Sequence, residues 1–128
     1  MNLLLDTHIA LWALTDDPKL PPAARELLLD PENTVTVSAA SVWEVAIKHA
    51  RHPDSVTVSG QEVLRDFGEA GYRLLPITAR HAATVDSLPP IHQDPFDRIL
   101  VAQAIAEPLR LVSHDPRVAA YTDLVIPV

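Results

Sequence analysis

Thr34-Val35-Thr36-Val37-Ser38 runs without a break into Ala39-Ala40-Ser41-Val42-Trp43-Glu44-Val45-Ala46-Ile47-Lys48-His49-Ala50. The first stretch is β-branched up to its last residue and suits a strand. The second predicts a helix over Ala39–Ala50. The same order recurs on both sides. Asn2–Leu5 reads as a short buried strand, followed by helices over Ile9–Leu14 and Ala23–Leu29, the latter opened by Pro21-Pro22. Beyond a loop over His52–Ser59 come a helix at Gln61–Ala70, a strand at Tyr72–Pro76 and a helix at Ala79–Leu88. Pro95–Ala106 is a helix with Asp94 as N-cap and Pro95 in its first position. Arg110–Ser113 is a fourth strand, a short helix follows Pro116, and Leu124–Ile126 is a candidate fifth. Strands alternating with helices imply an α/β fold: a parallel sheet of four to five strands covered on both faces.

The 128 residues suit one domain, residues 1–128, with one core. A hydrophobic share of 48% excludes a disordered chain. Three glycines are few for an all-β sandwich, and the twelve prolines fall largely between periodic segments. No apolar run is long enough to span a membrane, and the start Met1-Asn2-Leu3-Leu4-Leu5-Asp6 lacks the marks of a signal peptide. There is no cysteine, which excludes thiolate chemistry and fits a cytoplasmic protein. The net charge of −7 argues against tight nonspecific binding to nucleic acid. It leaves room for a nuclease, since a bound metal can itself hold a phosphate.

Four acidic residues stand where such a fold binds its ligands. Asp6 follows Leu3-Leu4-Leu5, and Asp115 follows Leu111-Val112-Ser113-His114. Glu44 and Asp97 are expected in the first turns of helices that start at the same edge. In open α/β sheets, ligands bind beyond the carboxyl ends of the strands. Two carboxylates at about 4 Å repel by roughly 1 kcal/mol in water and roughly 4 kcal/mol at an effective dielectric near 20. Protons or a divalent cation must offset that, and hard cations prefer oxygen ligands. Each acid also has an ordinary explanation. Ser41-x-x-Glu44 is a candidate capping box, Asp6, Asp94 and Asp115 are natural N-caps, and Asp97 complements a helix dipole. Caps alone do not require all four to converge. No lysine or arginine adjoins Asp6, Glu44 or Asp115 in sequence; only Asp97 has one, Arg98.

Among the histidines, His8 and His114 lie near the expected site, His92 precedes Asp94 by two, and His52 precedes Pro53 outside the helix that carries His49. No pair has a third ligand at a zinc spacing. Trp12 and Trp43 read as core or groove residues. There is no Gly-rich phosphate loop and no Gly-x-Ser-x-Gly elbow. A phosphorelay receiver would need an aspartate after the third strand, where Leu75-Pro76-Ile77 stands, and a late lysine, yet none follows Lys48. A phosphatase of the haloacid-dehalogenase type would need an aspartate at His8.

Leu4-Leu5-Asp6-Thr7-His8 with Leu11-Trp12, Ser38–Ile47 around Trp43-Glu44, His92–Ala104 with Asp94-Pro95-Phe96-Asp97-Arg98, and Leu111–Asp115 together carry a resemblance that spans almost the whole chain. The chain resembles a PIN-domain ribonuclease of the kind that is the toxin of VapBC-type toxin–antitoxin pairs. The resemblance implies a three-layer α/β/α sandwich. It also implies a Mg²⁺- or Mn²⁺-dependent endoribonuclease whose metal is held by Asp6, Glu44, Asp97 and Asp115. Asp94 becomes a helix cap, a group behind the ligands or an added ligand. Ser113 keeps the hydroxyl of a threonine frequent in the family. Thr7 and Ser113 would orient carboxylates, and Arg98 would pair with an acid of the cluster or contact RNA, the pairing being favoured. A cognate antitoxin and a homodimer follow by family habit. The acidic pocket would accept an arginine from an antitoxin tail laid along a groove lined by Trp12 and Trp43. Two other classes stand beside this reading: a metal-dependent phosphohydrolase of small phosphoesters, and a catalytically silent interaction module.

Overall fold

The computed structural model describes all of residues 1–128. In chain order its elements are β1 (Asn2–Leu5), α1 (Thr7–Leu14), α2 (Pro22–Leu29), β2 (Thr34–Ser38), α3 (Ala39–Arg51), α4 (Gly60–Glu69), β3 (Arg73–Leu75), α5 (Ala79–Thr84), a 3₁₀ turn (Val85–Ser87), α6 (Pro95–Ala106), β4 (Arg110–Ser113), α7 (Pro116–Ala119) and β5 (Val125–Pro127). The five strands form one parallel sheet in the order β3-β2-β1-β4-β5. The chain builds outward from β1 through β2 to β3. It then crosses back to place β4 on the other side of β1, pairing Leu4 with Leu111 and Leu5 with Val112. The switch point of the sheet therefore lies between β1 and β4, where a parallel sheet opens its ligand crevice.

Side-chain alternation along the strands makes two cores. Leu3 and Leu5 of β1, Val37 of β2 and Val112 of β4 face α1, α2 and α4, packing with Ile9, Ala24, Val63 and Phe67. Leu4 and Leu111 face the opposite way, against Leu100, Val101 and Ala104 of α6 and Val118 of α7. Each Leu, Ile, Val or Phe among these, fully buried, contributes about 1.5–3 kcal/mol. The result is a three-layer α/β/α sandwich. Helix α3 serves both layers, with Ala40 in one core and Val45 in the other.

Two glycines are required by geometry. A Cβ on Gly60 would stand 2.9 Å from the Ala46 Cβ, so α4 can begin close against α3 only with glycine there. Gly71 has φ +80° just past α4, and the next N–H, of Tyr72, reaches back to Phe67 O at 3.1 Å to close the helix end.

The expected helix at Ala79–Leu88 is shorter than its sequence suggests. It gives way to the 3₁₀ turn at Val85, whose carbonyl accepts from Arg98 Nη2 at 3.1 Å. The capping box expected at Ser41 and Glu44 is absent. Ser38 caps α3 through Ala40 N–H at 3.0 Å, and Glu44 lies in the second turn rather than the first.

Candidate metal centre

Each acid is delivered to the sheet edge by local chemistry. Asp6 ends β1: its N–H extends the ladder to Val112 O at 3.0 Å, and its Oδ1 caps α1 through His8 N–H at 2.9 Å. Its Oδ2 accepts from Ser113 Oγ at 2.8 Å, and the same serine oxygen accepts from Asp115 N–H at 3.1 Å. One hydroxyl thus links the acids that end the two central strands. Asp115 caps α7 through Arg117 N–H at 2.8 Å, and the Arg117 guanidinium closes on its carboxylate at 3.2 and 3.3 Å. Asp94 caps α6 through Phe96 N–H at 2.9 Å. Asp97 follows in the first turn of α6, where the positive end of the helix dipole favours a carboxylate. Asp6, Asp94 and Asp115 are therefore N-caps and cluster members at once.

Glu44 is buried and binds Lys48 Nζ at 2.5 Å, one turn along α3. Thr7 does not touch a carboxylate. Its hydroxyl meets Ser41 Oγ at 2.8 Å, tying α1 to α3. A cavity of about 240 Å³ opens over the cluster, lined by Asp6, Asp94, Asp97 and Asp115 with His92 and Arg117, and walled by Trp12 between His8 and His114.

His92, noted in the sequence only for its place before Asp94, stands inside the cluster. Its Nε2 lies 2.9 Å from Asp97 Oδ2 and 3.4 Å from Asp115 Oδ2, while its Nδ1 faces Asp94 N–H at 3.4 Å. A ring nitrogen that accepts from a backbone N–H carries no proton, so Nε2–H faces the two carboxylates. Ligand atoms of His92, Asp94 and Asp97 all lie within 4.8 Å of one another. Both ring nitrogens are engaged, so the free donors are carboxylate oxygens, the donor set of a hard divalent cation.

The PIN-domain family model matches residues 3–124. The chain belongs to the PIN-domain family. It is 30% identical over 121 residues to Ribonuclease VapC22 of Mycobacterium tuberculosis, covering 94% of this chain and 92% of that protein. Among solved structures it is similar to VapBC2 from Rickettsia felis bound to a promoter DNA fragment, with a TM-score of 0.70 and 19% identity over 100% of this chain and 98% of the other. A toxin–antitoxin complex from Klebsiella pneumoniae gives a TM-score of 0.64 and 18% identity over 97% and 95% of the two chains.

Electrostatics at this PIN-domain edge are uneven. Burial, then the charges of Asp6 and Asp94, push the Asp97 carboxyl up to about 7 against a lowering pull from His92; Glu44 adds to the rise. Asp6 is also raised, by burial, although the Ser113 and His8 hydrogen bonds oppose it. At Asp115 burial opposes ionisation too, but Arg117 outweighs it and holds the carboxyl below its ordinary value.

The expected charge pairing is reversed. Arg98, the sequence neighbour of Asp97, makes no ion pair: it binds the carbonyls of Pro89, Val85 and His92 and the Tyr121 hydroxyl. Its guanidinium is taken up by the carbonyls that precede the helix. Glu44 and Asp115, with no basic neighbour adjacent in sequence, receive Lys48 and Arg117. Lys48 was detectable as an i,i+4 partner. His92 was not, because its role depends on which loop the crossover lays beside β4. The two tryptophans line separate cavities. Trp12 joins the acidic cavity to an apolar groove of about 670 Å³, and exposed Trp43 stacks edge-on against Phe96 beside a different apolar hollow.

Proposed function

We propose that this PIN-domain chain is a metal-dependent endoribonuclease and the toxin of a VapBC-type pair. The observation that carries this reading is the convergence of Asp6, Asp94, Asp97 and Asp115 on one cavity at the switch point of the sheet, with buried Glu44 near enough to act on Asp97, in a chain 30% identical to a ribonuclease. Asp6, Asp97 and Asp115 are the proposed ligands, with Glu44 behind them and Asp94 completing the wall. Mg²⁺ or Mn²⁺, when bound, supplies a charge for the scissile phosphate and an acidified water for in-line attack. The chain's own part is to hold oxygen donors in place. Ser113 fixes the Asp6 carboxylate and the backbone of Asp115 with one hydroxyl. With its carboxyl raised to about 7, Asp97 is about half protonated at neutral pH, which limits the repulsion among the acids. No lysine, serine or cysteine nucleophile stands in the cavity.

The proposed setting is the cytoplasm, with RNA as substrate and an antitoxin as regulator. No helix is long and apolar enough to cross a membrane. The groove that Trp12 joins to the cavity is lined by apolar Leu11, Leu14 and Val63 together with acidic Asp17, Asp66 and Glu69. That surface suits an amphipathic antitoxin segment with basic residues, one of which would reach the acids and exclude metal. Exposed Trp43, Leu64 and Leu74 support the homodimer as a further apolar contact surface. The test is incubation of the purified chain with cellular RNA, with Mg²⁺ or with chelator. Cleavage that needs the metal and vanishes in Asp97→Asn is expected; metal-independent cleavage, or none, overturns the reading.

A further inference from the structure

The segment between Leu88 and Asp94 has neither helix nor strand, yet it delivers His92 to the centre of the acidic cluster. Two side chains from other elements hold it there. The Tyr121 hydroxyl, just past α7, accepts from His92 N–H at 2.7 Å and donates to His92 O at 3.1 Å. Its remaining acceptor position takes Arg98 Nη1 at 3.0 Å. A phenol has one proton to give, so this hydroxyl is fully used, and both backbone groups of one residue are pinned by it. Arg98 extends the tie to Pro89 O at 3.0 Å and Val85 O at 3.1 Å, with its guanidinium 5.9 Å from the Tyr121 ring centroid. The backbone so held belongs to the one side chain that contacts both Asp97 and Asp115.

We propose that Arg98 and Tyr121 are positioning residues of the metal centre: they clamp the His92 backbone, and the His92 imidazole sets the spacing of Asp97 and Asp115. The consequence for metal binding rests on the nuclease reading; the clamp itself does not. Outer groups that orient a metal site commonly change affinity by roughly 10–100-fold.

The test replaces Tyr121 by Phe, which keeps the ring and removes the hydroxyl. Mn²⁺ affinity, measured by calorimetry without RNA, should fall by about 10–100-fold in a chain that remains folded by circular dichroism. In a His92→Ala background the same Tyr121→Phe change should leave affinity where it was, because the effect passes through His92. In the metal-free protein, nitrogen-15 NMR should show a His92 Nε2–H protected from exchange in the wild type and lost in Tyr121→Phe. Should Tyr121→Phe fail to fold, Arg98→Lys supplies the second variant: it keeps the charge without the fork and should shift Mn²⁺ affinity the same way. Unchanged affinity in the folded variant, or an equal loss with and without His92, overturns the clamp. A wild-type chain that binds no Mn²⁺ overturns the nuclease reading instead, and the His92 signal then decides the clamp alone.

Discussion

Two helices of this chain start with the same dipeptide, Asp94-Pro95 at α6 and Asp115-Pro116 at α7. Both aspartates cap in the same way, binding the N–H two residues on at 2.9 and 2.8 Å. His92 then reaches from one start to the other, touching Asp97 and Asp115. What differs is the next charged residue. After Asp115 it is Arg117, which neutralises the cap from within the chain. After Asp94 it is Asp97, which adds a second carboxylate to a half-buried place. Asp115 accordingly falls below its ordinary value and Asp97 rises to about 7. Equal capping chemistry thus yields one end neutralised from within the chain and one end where a second carboxylate has no such partner.

The largest effect should come from breaking the second end. Asp97→Asn should reduce RNA cleavage by more than the roughly 10–100-fold typical of groups behind a metal site. Its metal-free stability at pH 7 should be no lower than wild type, because a crowded charge has been removed. Cleavage assays beside thermal melts check both. Wild-type cleavage with a stability loss of about 0.3–1 kcal/mol would reduce Asp97 to a partner of the helix dipole.

The next effect is in pH. As pH rises from about 4 to about 7, the unfolded chain releases the Asp97 proton while the folded chain keeps it. Stability from this group therefore falls across that window and levels above it. Asp115 has the opposite sign. Its folded-state carboxyl is lowered, so its contribution is present above the ordinary carboxylate range and lost as pH drops through it. Urea melts in chelator between pH 4 and 8 should show a steeper decline toward neutral pH in wild type than in Asp97→Asn. Parallel curves would refute the raised carboxyl.

The fold was legible because strand ends and helix starts are local events. Asn2–Leu5, Thr34–Ser38, Arg110–Ser113 and Pro95–Ala106 stand where propensity, Pro and Asp place them. The break in the helix at Val85 was not legible, since the group that takes its carbonyl is Arg98, thirteen residues on. At the site, the acids were visible as caps that share one sheet edge. Of their partners only Lys48 was, by its i,i+4 spacing from Glu44. Arg98 turns to carbonyls although it adjoins Asp97, and the Tyr121 hydroxyl meets the His92 backbone across 29 residues of chain. Hydrogen bonds of that span depend on topology, and a sequence neighbour is no guide to them.

A smaller effect is expected at the neutralised end. Arg117→Met should raise the Asp115 carboxyl toward its ordinary value, which carbon-13 NMR titration reads directly. Because Arg117 is mostly exposed, the stability change should stay under about 1 kcal/mol. A loss well beyond that would mean that Arg117 holds α7 in place rather than tuning its cap.

The most direct test of the central claim is calorimetric titration of Mn²⁺ into the chain at pH 7, repeated in buffers of different ionisation enthalpy. A carboxyl titrating near 7 that becomes a ligand must give up its proton, so wild type should release about half a proton per metal bound. That release should vanish in Asp97→Asn and at pH 9. No binding at millimolar Mn²⁺, or the same proton release with Asp97 replaced, would contradict the account.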